Sequence, residues 1–188
     1  LAPASLTLNV PVPLPSTSAL RSIRPPTFKP PATVKLATSA VAVESVMTEK
    51  RTYLDANVLI AAWNGGEEER AWARGILDDP QRRLVVSDFV RLEVLPKPIF
   101  HGNPREVEFM QAILEDAESV VVSVPLVQRA LTMAGRYNLN PLDALHLAAA
   151  AEAGVDEMAT FEKPEKPICR QTELPVVSLR ARKKIEQN

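Results

Sequence analysis

Four acidic side chains lie at positions where a carboxylate could take part in chemistry. Asp55 comes directly after a short strand-like run, and Glu162 comes just after another one later in the chain. Glu93 follows apolar residues by three and four positions in a helical pattern, which places it beside them on one helix face. Asp143 lies in the segment 142–153, which is apolar on nearly every side. Carboxylates that converge bind hard divalent cations through oxygen, so a metal site is one use for these acids if the fold brings them together.

Each acid, taken singly, also has a structural explanation. Asp55 and Asp143 could cap helices, Glu93 could be a paired acid of the core, and Glu162 could be a surface partner of Lys163. For all but Asp143 the structural explanation is the simpler one. The two interpretations differ in their electrostatics, because four ionised carboxylates that converge without a metal repel one another. We therefore expect some of their pKa values to be raised in the metal-free protein.

The elements that position these acids follow from hydrophobic periodicity. Strand-like runs cover 52–54, 84–87, 119–124, 155–160 and 175–179, and helical patterns cover 58–63, 67–77, 89–95, 104–118, 125–137 and 142–153. This alternation predicts an α/β protein, a three-layer α/β/α fold with a central, mainly parallel sheet of four to five strands. We expect the uncharged run 119–124 to be a buried strand and Pro175 to open an edge strand.

Composition bounds the rest of the chain. The formal net charge of -1 over 188 residues excludes a globally basic nucleic-acid binder. The single cysteine, Cys169, excludes an intrachain disulfide. No apolar run approaches the roughly 18 residues that indicate a membrane span, so we expect a cytoplasmic protein without a membrane partner.

Residues 1–46 differ in composition from the remainder of the chain. They hold eight of the 17 prolines, four basic residues and one acid. This composition predicts a disordered proline-rich tail, and it also fits an organelle transit peptide or an upstream extension ahead of a functional start at Met47. The expected domains are this segment, a domain over 47–179, and a basic carboxyl-terminal tail over 180–188.

Four segments that carry the acids resemble the motifs of the PIN domain nuclease family, in particular its small single-domain toxins of toxin–antitoxin pairs. They are YLDANVL at 53–59, SDFVRLE at 87–93, PLDALHLA at 141–148 and ATFE at 159–162. The fourth departs from the family pattern, which usually has Thr, any residue and Asp. Here the acid is Glu162, and Glu165 or Asp156 are weaker candidates for that position.

The resemblance implies a metal-dependent endoribonuclease that hydrolyses RNA through an activated water and leaves 5′-phosphate and 3′-hydroxyl ends. We expect Asp55, Glu93 and Asp143 to hold Mg²⁺ or Mn²⁺, and Glu162 to complete a second, weaker metal site. The resemblance also implies a homodimer and an antitoxin partner that covers the acidic site.

Supporting residues are assigned around the four acids. Asn57, Ser87 and Thr160 either orient acids and waters by hydrogen bonds or act as caps and turn residues. His146, three positions after Asp143, is expected to be a core histidine or a hydrogen-bond donor to a ligand, and not itself a metal ligand.

Four basic residues lie near the acidic motifs. Arg91, Lys97, Lys163 and Lys166 are candidates for contacts to substrate phosphates, which would allow RNA binding despite the acidic total. Solvation at the surface is the alternative for each of them.

Two other functions remain open from the sequence. A phosphotransferase of the haloacid dehalogenase type would use Asp55 in the DANV segment as a nucleophile, although that chemistry requires a second Asp where Asn57 stands. The other alternative is a catalytically inactive PIN-fold module that only binds RNA or protein.

Overall fold

The computed structural model describes residues 49–181, so the predicted tail 1–46 and most of the basic terminus lie outside the described residues. The strands are β1 (Lys50–Leu54), β2 (Arg82–Ser87), β3 (Glu118–Val120), β4 (Glu157–Thr160) and β5 (Val176–Ser178). The helices are α1 (Ala56–Asn64), α2 (Glu67–Leu77), α3 (Asp88–Val94), α4 (Pro96–Phe100), α5 (Pro104–Asp116), α6 (Val124–Tyr137), α7 (Pro141–Ala153) and α8 (Pro167–Arg170). A 3₁₀ turn over Leu179–Ala181 follows β5.

The five strands form one parallel sheet in the order β3-β2-β1-β4-β5, flanked by helices, which confirms the predicted α/β fold. The chain moves from β1 to β2 to β3 in one direction and crosses back to β4 and β5 in the other. Because parallel crossovers are right-handed, this reversal places α1 to α5 on one face of the sheet and α6 to α8 on the other. The reversal occurs between β1 and β4, where open α/β sheets form ligand crevices at the carboxyl ends of their strands.

The helix boundaries follow from local chemistry. Pro104 and Pro141 begin α5 and α7, because a proline in the first turn loses no helical hydrogen bond. The side chain of Ser123 caps α6 by accepting a hydrogen bond from the amide of Leu126 at 3.2 Å. Gly154 ends α7 in the left-handed conformation, with φ at 61°.

The predicted buried strand over 119–124 is wrong. β3 stops at Val120 and, among residues 49–181, pairs only with β2, so it is an edge strand of the described sheet, and Val121 is 82% exposed. The chain leaves the sheet here because Ser123 starts the capping turn of α6. An uncharged run therefore does not require burial here, since Val121 and Val124 are both exposed.

The core lies between the sheet and the two helix layers. Its largest fully buried side chains include Tyr53 and Leu54 of β1, Met110 of α5 and Leu147 of α7. α7 is covered along most of its surface, as its apolar sequence predicts. Across the part of the chain that the structure describes, no helix combines the length and apolar character needed to cross a membrane.

Candidate metal centre

Asp55 lies at the carboxyl end of β1, where the chain turns into α1. It occupies the position before the helix, yet its side chain accepts no capping hydrogen bond from the first turn. Its Oδ2 atom instead accepts hydrogen bonds from Thr160 Oγ1 at 2.6 Å and from Asn57 Nδ2 at 2.7 Å. The capping explanation for Asp55 therefore does not account for its position.

Asn57 and Thr160 join the loop after β1 to the loop after β4. Asn57 Oδ1 accepts a hydrogen bond from the amide of Phe161 at 2.8 Å, and Thr160 Oγ1 accepts one from the amide of Glu162 at 2.9 Å. The register of β1 against β4, with Leu54 beside Ala159, brings these loops together. The arrangement orients Asp55 and fixes the backbone that carries Glu162.

One oxygen of Asp55 is left for a ligand. Within residues 49–181 its Oδ1 atom makes no hydrogen bond, and no buried side-chain polar atom there lacks a partner. It follows that Oδ1 has access to solvent, although Asp55 as a whole is buried.

Glu93 reaches the site from α3 through a hydrogen bond to α7. Its Oε1 atom lies 2.6 Å from Nε2 of His146. Nδ1 of the same imidazole lies 2.9 Å from the hydroxyl of Tyr53, which lies 2.7 Å from Oγ of Ser87. Ligand atoms of Asp55, Glu93 and His146 all lie within 4.8 Å of one another, a spacing compatible with a metal ion.

Asp143 and Glu162 lie within electrostatic range of this cluster. Asp143 is half-buried in the first turn of α7, and the charges of Asp55 and Glu162 act on it. Glu162 is partly exposed, and its backbone carbonyl accepts a hydrogen bond from Ser178 Oγ at 2.5 Å. The structure thus places all four predicted acids around the carboxyl ends of β1 and β4.

Two of these acids have pKa values above their ordinary range. Burial raises the pKa of Asp55, and the carboxylates of Glu93 and Glu162 raise it further against the opposing effect of His146. Burial also raises the pKa of Asp143, with added repulsion from Asp55 and Glu162. Among residues 49–181, none of the four acids pairs with a lysine or arginine within ion-pair distance. The expected mutual repulsion is therefore present.

The predicted phosphate-binding residues differ in how far their charges are engaged within the protein. Arg91 donates a hydrogen bond from Nη2 to the carbonyl of Leu114 at 2.9 Å and lies 3.7 Å from Asp88, so its guanidinium is engaged within the protein. Lys97 and Lys163 are exposed and form no ion pair with any described residue. Burial raises the pKa of Asp143, and the charge of Lys166 offsets part of that rise.

Two residues near the site, Tyr53 and Cys169, were not predicted to belong to it. Tyr53 is fully buried, and burial raises its pKa well above the usual value, so its phenol keeps the proton. Asp55 follows β1 in an extended conformation two positions after Tyr53, and this spacing, which places both side chains on one face, is the signal that could have identified Tyr53. Cys169 lies near the acids, and burial followed by the charge of Glu162 raises its pKa to about 11.

Comparison with known proteins gives a family and a fold. The model of the PIN domain family matches residues 52–163. Among solved structures, the chain is similar to a toxin–antitoxin complex from Klebsiella pneumoniae, with 20% identity, a TM-score of 0.53, and coverage of 68% of this chain and 97% of that one. No curated protein matches the chain significantly.

Two further solved structures share this fold at lower identity. VapBC2 from Rickettsia felis, bound to a promoter DNA fragment, has 12% identity, a TM-score of 0.53 and coverage of 68% and 98% of the two chains. VapC20 from Mycobacterium tuberculosis, a sarcin–ricin loop cleaving toxin, has 15% identity, a TM-score of 0.52 and coverage of 66% and 98%.

Proposed function

The chain belongs to the PIN domain family, and we propose that it is a metal-dependent endoribonuclease that hydrolyses single-stranded RNA. The observation that carries the proposal is the gathering of Asp55, Glu93, Asp143 and Glu162 at one edge of the sheet without lysine or arginine ion-pair partners within the described residues. Gathered carboxylates without lysine or arginine partners are costly to a fold, and the raised pKa values of Asp55 and Asp143 reflect that cost. A binding role explains why they are gathered.

The donor set fits a hard divalent cation. Carboxylate oxygens are the ligands that Mg²⁺ and Mn²⁺ prefer, and Oδ1 of Asp55 is available to one. Asp55, Glu93 and Asp143 would hold the first ion, and Glu162 would contribute to a second. When bound, such an ion supplies a Lewis acid that polarises the scissile phosphate and offsets its negative charge.

The chain's own residues supply orientation and substrate contacts. Asn57 and Thr160 hold one oxygen of Asp55, so its carboxylate has a single orientation. Lys97 and Lys163 are exposed cations without a described ion-pair partner, and we propose them as contacts for RNA phosphates. RNA binding therefore does not require a positive net charge.

The toxin role is the more specific part of the proposal. The fold is shared with a chain of a toxin–antitoxin complex and with a protein described as a sarcin–ricin loop cleaving toxin, and the chain covers 97% and 98% of their lengths. We propose that this protein forms a homodimer and is inhibited by an antitoxin that covers the four acids. Their unpaired negative charge would attract a basic segment of that partner.

The test is cleavage of total RNA by the full chain with Mg²⁺, with Mn²⁺ and with a chelator. We expect cleavage only with the metal, and 5′-phosphate and 3′-hydroxyl ends. Asp55→Asn is the matched variant, since it keeps the shape of the side chain and removes the charge. Cleavage that survives the chelator or this substitution contradicts the proposal. Metal binding without any cleavage would indicate an inactive binding module.

A further inference from the structure

The hydrogen bonds around His146 form an uninterrupted series from the core to the metal centre. They run from Ser87 to Tyr53 at 2.7 Å, from Tyr53 to Nδ1 of His146 at 2.9 Å, and from Nε2 of His146 to Glu93 at 2.6 Å. Ser87, Tyr53 and His146 are at most 2% exposed, whereas the side chain of Glu93 is 31% exposed. The series therefore joins a rigid interior to one partly exposed carboxylate.

The direction of each hydrogen bond follows from counting donors. An ionised Glu93 only accepts, so Nε2 of His146 carries a proton and donates. When the imidazole is neutral, Nδ1 is an acceptor and the hydroxyl of Tyr53 donates to it; when the imidazole is charged, Nδ1 donates to the Tyr53 oxygen and Nε2 still donates to Glu93. The Tyr53 oxygen in turn accepts from the hydroxyl of Ser87. In both charge states Nε2 donates to Glu93, and in the neutral state the hydrogen bond from Tyr53 favours the tautomer that does so.

Both ring nitrogens of His146 are thereby occupied. A direct bond between the imidazole and a metal would require Nε2 to lose its proton and leave Glu93. Glu93 would then lose its only described hydrogen-bond partner. The ring is also held by edge-on contacts with Tyr53 and Phe89, at centroid distances of 5.9 and 6.2 Å. These contacts favour a fixed ring that directs a neighbour over a ring that moves to bind an ion.

We propose that His146 is a positioning residue that holds Glu93 turned toward Asp55, with Tyr53 and Ser87 fixing the tautomer that donates to Glu93. The inference rests on the proposed metal-dependent function and adds a residue to it. A glutamate side chain without such a bond samples several rotamers, and a bound ion must then restrict them. Partners that orient a metal ligand in this way change metal affinity by about 10- to 100-fold when they are removed.

The experiment measures Mn²⁺ binding to the full chain by electron paramagnetic resonance, with no RNA present. His146→Leu removes the donor, and we expect Mn²⁺ affinity about 10- to 100-fold weaker. His146→Gln is the matched variant, because its side-chain amide can donate to Glu93. We expect Gln to restore affinity to within about threefold of the parent. Tyr53→Phe keeps the imidazole but frees its tautomer, and we expect a loss intermediate between the other two variants.

The outcomes separate this inference from the proposed function. If the parent and Glu93→Gln bind Mn²⁺ equally weakly, the proposed metal centre fails. If the parent binds Mn²⁺ through Glu93 and His146→Leu binds it as tightly, the positioning role is wrong. His146→Gln as weak as His146→Leu also overturns it, since a direct imidazole ligand would be lost in both. Should His146→Leu not fold, as judged by circular dichroism, parent-like Mn²⁺ affinity in Tyr53→Phe overturns the inference.

Discussion

Acidic side chains at the two ends of the β-sheet have opposite electrostatic environments. At the carboxyl ends of the strands, Asp55 and Asp143 have raised pKa values and no lysine or arginine ion-pair partner among the described residues. At the amino end, Glu157 contacts both Lys50 and Arg82. Its pKa is lowered, because these two partners outweigh the opposing effect of burial.

A second acid at the amino end repeats this pattern. Glu118 accepts from Arg51 at 2.5 Å and from Arg83 at 3.1 Å. A groove of about 640 Å³ opens beside Arg82, Arg83 and Glu118, and it is lined by other charged residues. The contrast is one of charge compensation, because Glu157 and Glu118 are paired with lysine or arginine and Asp55 and Asp143 are not so paired among the described residues. Acids whose charge is already compensated stabilise the fold, whereas uncompensated acids remain available to a cation.

The largest expected effect is on activity at the carboxyl end. Asp143→Asn should lower the rate of RNA cleavage by at least about 100-fold, because it removes one metal ligand. The free energy of unfolding of the metal-free protein should stay the same or rise, since a charge that repels Asp55 and Glu162 is removed. Both are measured on one preparation, by cleavage and by urea unfolding. Parent-like cleavage, or a clear loss of metal-free stability, would show that Asp143 is structural.

Next in size is a loss of stability at the amino end. Glu157→Gln should lower the free energy of unfolding by about 3 kcal/mol, because Arg82 loses its buried partner. RNA cleavage at a temperature where the variant is folded should match the parent. Glu118→Gln is the control, because its ion pairs are more exposed, and we expect a loss below about 1 kcal/mol. Equal losses in the two variants would contradict the distinction between these two acids.

Metal should stabilise only through the carboxyl end. Mn²⁺ at 100 times its dissociation constant should raise the free energy of unfolding by about 2.7 kcal/mol. Thermal melting with and without Mn²⁺ measures this gain. Glu157→Gln should retain the gain and Asp55→Asn should lose it. The same gain in Asp55→Asn would mean that Mn²⁺ binds elsewhere.

The smallest effect is on the pH dependence of metal-free stability, and its sign differs between the two ends. Raised folded-state pKa values make the folded protein bind the protons of Asp55 and Asp143 more tightly than the unfolded chain. The stabilisation that these two groups give the folded protein is complete below pH 3.8, their ordinary pKa. It is lost as the pH rises through their raised pKa values. Glu157 stabilises the folded protein above pH 4.5, its ordinary pKa. This stabilisation is lost as the pH falls through its lowered pKa.

Urea unfolding across a pH series without metal distinguishes the two signs. In Asp143→Asn, the free energy of unfolding should fall less steeply as the pH rises above 3.8. Glu157→Gln should remove part of the loss on the acid side of pH 4.5. The reverse assignment would contradict the electrostatic comparison.

Local sequence was sufficient where local forces decide. The alternation of apolar periods predicted the parallel sheet and helix layers, and the motif resemblance to PIN domains is confirmed. The edge position of β3 was missed, because an uncharged run has the same composition whether one neighbouring strand is present or two. No helix was predicted between 95 and 104. Pro96 begins α4, since its fixed φ suits a first turn.

Sequence by itself determined which acids follow strands, which helix is apolar on all sides, and to which family the motifs belong. Only the tertiary structure decided that Thr160 donates to Asp55 across 105 positions and that His146 lies against Glu93 across 53. The physical reason is strand order, since placing β4 beside β1 depends on long-range pairing that no local period encodes. The same pairing sets the two electrostatic environments, because Glu157 lies beside Lys50 and Arg82 whereas Asp55 and Asp143 have no lysine or arginine partner among the described residues.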